Sequence, residues 1–446
     1  MSIRNRLAFV GSRPAIVVLI TGLVMLSVCI RAENDMLADA TKSGIAGAGV
    51  PVAEIFSAPC MMADESQQSP PSSRVRASVP GTELDDIQPL RSIVDPYPSY
   101  NGIAFDPLNH LTVLSDTNKK SLLIYSQASG SQSVEETRPL RQIIGPATNI
   151  GFIAGVTIDS TNHEVFAVNN DIEDRVVVFS MQDEGSVKPK RVLHVPYSSW
   201  GLALNQARGE LAVSVQQINA VVIYHRDAKG LEAPVRSIIG ANTGLADPHG
   251  IFWDEGNDEL FVSDHGNANK EGTSLSSTDY YNADARLQLA LGGEFQPPAI
   301  HVYAGSDKGN VKPLRAIQGA LTELNWPTGM ALDRSHDEVA VANSADHSVL
   351  FFRRTASGNV RPSRILRGAR TGINRPMGVA VDQKNNELWV ANFGDHTALV
   401  FDLKANGNMR PKRIIRNAPK GTPTTGFGNP MALAYDSRRE EIVVGN

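Results

Sequence analysis

The sequence predicts an all-β protein built as a β-propeller, and three observations carry that prediction. One pattern of residues recurs along the chain, each copy holds four short apolar runs, and no comparable length shows a helical period. The recurrence is plainest late in the chain. The stretch "NWPTGMALDRSHDEVAVANSADHSVLFFR" (325–353) returns as "NRPMGVAVDQKNNELWVANFGDHTALVFD" (374–402), with 13 of 29 aligned positions identical.

The anchor of each copy is a Gly, an apolar run and an Asp or Asn: "GIAFD" (102), "GVTID" (155), "GLALN" (201), "GIFWD" (250), "GMALD" (329) and "GVAVD" (378). A seventh copy, "MALAYD" (431), has Met where the others have Gly. Each run is short, apolar and bounded by turn residues, which reads as a buried strand, a. Strand b follows after a polar turn, as in "EVFAVN", "ELFVSD" and "ELWVAN". Strand c follows in turn, as in "RVVVFS" and "TALVFD". Strand d opens with Pro-x-Arg, as in "PLRQII" (139) and "PKRIIR" (411), and that proline suits an outermost strand. Four strands in a unit of ~49 residues, repeated seven times, predict a seven-bladed β-propeller of four-stranded blades over 85–446.

The count also predicts how the ring closes. The sequence offers seven d runs (the first "PLRSIV" at 89), seven a–b pairs and only six c runs. The N- and C-terminal strands are therefore expected to share the last blade, with the apolar island "VAEIFS" (52–57) as a candidate for its missing strand.

"RPMGVAVDQKNNELWVANFGDHTALVFD" resembles an NHL repeat, and the grammar is also similar to that of lactonase-like bacterial propellers. The resemblance covers roughly 85–446. It implies a propeller fold and leaves function open, because such families include protein-binding, RNA-binding and hydrolytic members. Seven copies lean toward the lactonase-like group. That group's likeness to gluconolactonase implies a divalent cation held by carboxylate and amide oxygens at the channel mouth. The residues just before the anchor glycines are Asn101, Ala154, Trp200, His249, Thr328 and Met377. They offer one amide and no carboxylate, where a hard cation wants about six oxygens. No metal site and no cofactor are therefore expected from this ring.

Bulk composition narrows the partners. The chain has 446 residues, 41% of them apolar, and its 37 Gly and 26 Pro suit a turn-rich β protein. A net charge of −5 disfavours nucleic acid, which wants a basic stripe. Arg4, Arg6 and Arg13 precede the run "AIVVLITGLVMLSVCI" (15–30), so residues 1–32 are expected to act as a signal peptide or membrane anchor. An exported protein, periplasmic, extracellular or anchored, follows from that expectation, and nothing in the sequence calls for more than a monomer. Residues 33–84 read as a flexible Ser/Pro-rich linker. Both cysteines, Cys29 and Cys60, precede the repeats, so no disulfide is expected in the propeller.

In a four-stranded antiparallel blade, the d–a and b–c connections share one face, around the channel mouth. Candidate ligand-binding residues there are Trp200, His249, His265 and Trp326, with Tyr280 and Tyr281 in an insertion (265–298) that lengthens blade four and has a helix expected at 283–291. The last residue of strand b gives a second ring that includes Asp264, Asn343 and Asn392. Its repetition also fits Asx side chains that bond the backbone of turns. The pairs Asp264-His265, Asp346-His347 and Asp395-His396 raise acid–base chemistry, but copies on different blades lie too far apart to act on one bond. The Arg of each d run is expected to pair with the Glu that opens most b runs. No GxSxG, HExxH, P-loop, EF-hand or CxxCH motif occurs, and no catalytic residue is assigned. The sequence thus predicts a binding scaffold for a protein or small ligand. The alternatives are a lactonase-like hydrolase using the same mouth and an envelope structural protein.

Overall fold

The computed structural model describes residues 86–87, 91, 93, 95, 100–106, 108–131, 136–170, 174–268, 294–395, 397–415, 432–436 and 441–445. The N-terminal segment and linker, the island 52–57, Tyr280, Tyr281 and the helix expected at 283–291 lie outside these residues. No helix among the described residues is long and apolar enough to cross a membrane.

After β1 (Asp86–Ile87), blade one comprises β2 (Tyr100–Asp106), β3 (Leu111–Asp116), β4 (Ser121–Ser126) and β5 (Arg141–Ile144). Blade two holds β6 (Ile153–Asp159), β7 (Glu164–Asn169), β8 (Arg175–Ser180) and β9 (Arg191–His194), and blade three β10 (Ser199–Asn205), β11 (Glu210–Val215), β12 (Ala220–His225) and β13 (Arg236–Ile239). Blade four begins with β14 (Pro248–Asp254) and β15 (Glu259–Asp264). A small pair, β16 (Asn267–Ala268) and β17 (Glu294–Phe295), interrupts it before β18 (Ala299–Ala304) and β19 (Arg315–Gln318). Blade five is β20 (Pro327–Asp333), β21 (Glu338–Asn343), β22 (Ser348–Arg353) and β23 (Arg364–Arg367). Blade six is β24 (Pro376–Asp382), β25 (Glu387–Asn392), β26 (Thr397–Asp402) and β27 (Arg413–Ile415).

Among the described residues there are therefore six complete four-stranded blades, not the seven expected. The last copy of the repeat forms only an antiparallel pair, β28 (Ala432–Asp436) with β29 (Glu441–Gly445). β28 lies against both β24 and β2. The run at 89–94, expected as the first outer strand, is not a strand at Arg91 or Ile93, its two described residues. Just before it, β1 pairs in parallel with β27 on the rim of blade six, Asp86 beside Ile414 and Ile87 beside Ile415. Similar parallel bridges tie the other rims to the next blade, as between Ile143 and Gly185 or Leu366 and Gly407.

Each recurring residue has a local physical role. The a strands converge on the axis, and the anchor glycine is where neighbours touch. A Cβ on Gly201 would sit 2.6 Å from the carbonyl oxygen of His249 on the next blade, and one on Gly250 2.7 Å from that of Thr328. The Asp that ends strand a is buried and caps the a–b turn. Asp159 Oδ1 accepts from the amides of Thr161 and Asn162, and Asp382 does the same for Lys384 and Asn385. The b and c strands are buried almost throughout, while the short d strands are mostly half-buried. The apolar side chains they present meet face to face between successive blades, so the core is a set of inter-blade layers.

The expected Arg–Glu pairs form in five blades: Arg191 with Glu164, Arg236 with Glu210, Arg315 with Glu259, Arg364 with Glu338 and Arg413 with Glu387. The d arginines also reach forward. Arg141, Arg191, Arg236 and Arg364 each donate to the carbonyl one residue past the c strand of the following blade, at Met181, Arg226, Gly305 and Leu403.

Candidate functional site

The starts of the first strands of blades three and four, with the b–c connection of blade four and the d–a connection of blade five, bring four aromatic rings into one row. The Trp200 ring meets His249 edge-on at 5.0 Å, and His249 stacks on His265 at 3.8 Å with the planes 20° apart. Beyond it, the ring of Trp326 lies 4.9 Å from His265. Trp200 and His249 each precede an anchor glycine, His265 directly follows β15, and Trp326 directly precedes β20. These are the connections expected to surround the mouth.

Backbone geometry sharpens the placement. The residue three before the anchor glycine is left-handed in blades three to six: Ser198, Asp247, Trp326 and Arg375. A bulky Trp at φ 57° carries strain of about 1–2 kcal/mol, and the same side chain is 40% exposed. Strained, exposed aromatic residues are found where a surface has a use other than stability.

Asp247 sits under the two histidines. Its Oδ1 accepts from Gln216 Nε2 at 3.1 Å and lies 3.4 Å from His249 Nδ1, while Oδ2 lies 3.9 Å from His265 Nδ1. The Asp247 amide is fixed by Asn219 Oδ1, and its carbonyl accepts from the His265 amide. His249 Nδ1 is 3.1 Å from the Asp247 carbonyl oxygen and Nε2 is 2.6 Å from Gln216 Nε2. That geometry puts the proton on Nδ1 and leaves Nε2 to accept from the amide. His265 is 5% exposed, and among the described residues its Nε2 has no hydrogen-bond partner.

Both imidazoles are held neutral. Burial lowers His249, against the pull of the Asp247 carboxylate. Burial, reinforced by the neighbouring His249, pushes His265 down to about 2. Two imidazolium rings at stacking distance would repel, so neutrality is what permits the stack.

The other candidates are placed elsewhere. Asn343 and Asn392 are buried and bonded within their own blades. Asn343 Oδ1 accepts from the Asn325 amide and its Nδ2 donates to Glu323 O and Ser348 Oγ. Asn392 does the same with Asn374, Gly372 and Thr397. These asparagines lock the loop that precedes their blade's first strand. Asp264 takes the Ala246 amide and lies 2.5 Å from Nδ1 of the buried His301. Burial raises the Asp264 carboxyl above its ordinary value, opposed by His301. Asp264 and His265 therefore face apart and make no dyad. Asp346 binds Arg367, His347 accepts from the Arg375 amide, and Asp395 accepts from Asn374. His396, Tyr280 and Tyr281 lie outside the described residues, but the blade-four insertion leaves directly beside His265, where Gly266 and Gln296 pair.

Sequence reasoning did not single out Asp247 or Gln216. Their signal was positional: Gln216 directly follows its b strand, as His265 does, and Asp247 lies three residues before an anchor glycine. No protein-family model matches the sequence, and no curated protein matches it either.

Proposed function

We propose that this chain is a binding scaffold that holds a small, ring-bearing ligand at the channel mouth, over Trp200, His249, His265 and Trp326. One observation carries the reading: an otherwise repetitive ring of blades breaks its pattern here, with four stacked or abutting rings that end on the exposed Trp326. Flat aromatic faces hold planar heterocycles and the CH faces of sugars, and the polar edges of Gln216 and Asp247 supply orientation. A hydrolase reading is less favoured, because Asp264, the carboxylate next to His265 in the chain, is turned to the Ala246 amide and His301. The leader-like residues 1–32 favour a place for this scaffold outside the cytoplasm.

Titrating the full chain with sugar lactones, cell-wall saccharides and planar heterocycles, read by tryptophan fluorescence, tests this. A ligand that quenches the parent should bind Trp326→Ala at least tenfold more weakly and leave Trp389→Ala unaffected. Equal binding by both variants overturns the reading.

We also propose that β28 and β29 are the inner half of a seventh blade and that the stretch around Arg91 supplies its outer part. Arg91 Nη2 donates to Gln127 O at 3.0 Å, one residue past the c strand of blade one. That contact repeats what four other d arginines make to the blade after theirs. Ile93 packs on Leu114, Leu123 and Tyr125, the face of blade one not covered by blade two.

A further inference from the structure

We propose that Asp247, His249 and His265 form a binding site for one divalent transition-metal ion of the zinc type. One ligand atom from each of the three lies within 4.8 Å of the other two. The Asp247 oxygens stand 3.4 Å from His249 Nδ1 and 3.9 Å from His265 Nδ1. Ligands at zinc distances of about 2.0–2.1 Å sit roughly 3.3 Å apart around a tetrahedron, so the spacing suits one ion once the two rings, stacked face to face at 3.8 Å, turn apart to aim their Nδ1 atoms at one centre.

The donor set selects the class of ion. Two imidazole nitrogens and one carboxylate suit zinc, cobalt or nickel, and are a poor match for calcium or magnesium, which take oxygen. The site also has the supporting shell that metal histidines need. With His249 Nδ1 on the ion, Nε2–H requires an acceptor, and turning the Gln216 amide presents Oε1 at that position while giving up the bond from Nε2 to Asp247 Oδ1, an oxygen that must then turn to the ion. His265 Nδ1 stands 3.9 Å from Asp247, and among the described residues its buried Nε2 makes no hydrogen bond.

Three protein ligands leave coordination positions for water or for a donor atom of a ligand, the pattern of open rather than purely structural sites. The inference stands apart from the ring-row reading. Ligand quenching can be measured after chelation, and metal retention can be measured without ligand.

The test uses the full chain without an affinity tag, stripped with chelator and dialysed against zinc or cobalt. The parent should retain one equivalent of zinc and show a visible cobalt absorption band. His265→Phe and Asp247→Asn should lose the band and bind zinc at least tenfold more weakly, with melting curves that report folding. His347→Ala and Cys60→Ser should match the parent. No retained metal in the parent, unchanged retention in His265→Phe and Asp247→Asn, or loss with Cys60→Ser instead, would each overturn the proposal.

Discussion

The imidazoles of His249 and His265 lie face to face, 3.8 Å between centroids, although the two residues belong to opposite ends of one β-hairpin. β14 and β15 pair so that Pro248 stands opposite Asp264, the register then slips between Pro248 and Ile251 where His249 lies, and His265 directly follows Asp264. His265 fills the space beside His249 as a flat, buried, neutral ring. Replacing it with Phe is expected to change unfolding stability by less than about 1 kcal/mol, since no Nε2 hydrogen bond is lost among the described residues. His265→Ala is expected to cost about 2–3 kcal/mol, because the space beside His249 and Trp326 is left open. Urea midpoints of the two variants check this, and a Phe variant as unstable as the Ala variant would contradict it.

Acid should act on the rim pairs. Glu164 receives Arg191 Nη1 at 2.8 Å and Nη2 at 2.6 Å, with Lys190 alongside. The Arg191 hydrogen bonds hold its carboxyl at about 2, against burial. A carboxyl depressed in the folded state stabilises the fold above its unfolded pKa of 4.5, and that contribution is lost as pH falls from there toward 2. Glu164→Gln should therefore be less stable than the parent at pH 7, by about 1–2 kcal/mol once solvent screening at the rim is allowed for, and the gap should shrink as pH falls below 4. Chemical unfolding at pH 7, 5, 4 and 3 gives the comparison. A gap that does not narrow removes Glu164 from the cause.

The anchor glycines should tolerate nothing larger. A Cβ on Gly201 meets backbone at His249 O, 2.6 Å away, and Ile251 Cγ2 at 2.8 Å. Backbone cannot swing aside as a flexible side chain can, so Gly201→Ala should part blades three and four near the axis. The expected loss is about 2 kcal/mol, with a fall in binding at the mouth because His249 moves with its carbonyl. By contrast, Gly185→Ala has open space around it and loses only the ease of a left-handed residue, about 1 kcal/mol. Equal melting temperatures for Gly201→Ala and the parent would refute the close-approach argument.

Closure of the ring makes the last prediction. If the Arg91 region completes a seventh blade, a chain beginning at residue 96 should melt several degrees below one beginning at residue 81. Ile93→Ala should lose about 2 kcal/mol by opening the layer over Leu114, Leu123 and Tyr125. A truncated chain that melts like its parent would show that β28 and β29 need no outer strand from the N-terminal side.

The fold class was written in the sequence because the forces behind it are local. A Gly, a short apolar run and a capping Asp specify a strand and its turn within a few residues, and each copy repeats that instruction. The Arg–Glu pairs were legible for the same reason: each lies within one blade, two strands apart. The rings Trp200, His249, His265 and Trp326 could be proposed because the order of strands fixes which loops share a face.

What required tertiary structure was direction and distance. Along a strand, successive side chains point to opposite sides, so an error of one position exchanges interior for mouth. Asn343, Asn392 and Asp264 end their strands and turn inward to loop amides, whereas Gln216 and His265, one residue later, reach Asp247 and His249. No periodicity carries that choice, since it depends on where the neighbouring blade places its own loop. The grouping of Asp247 from one strand's approach with His265 from another's exit is likewise a fact of packing. The sequence determined the repeating unit; only the assembled ring decided which of its irregular residues meet.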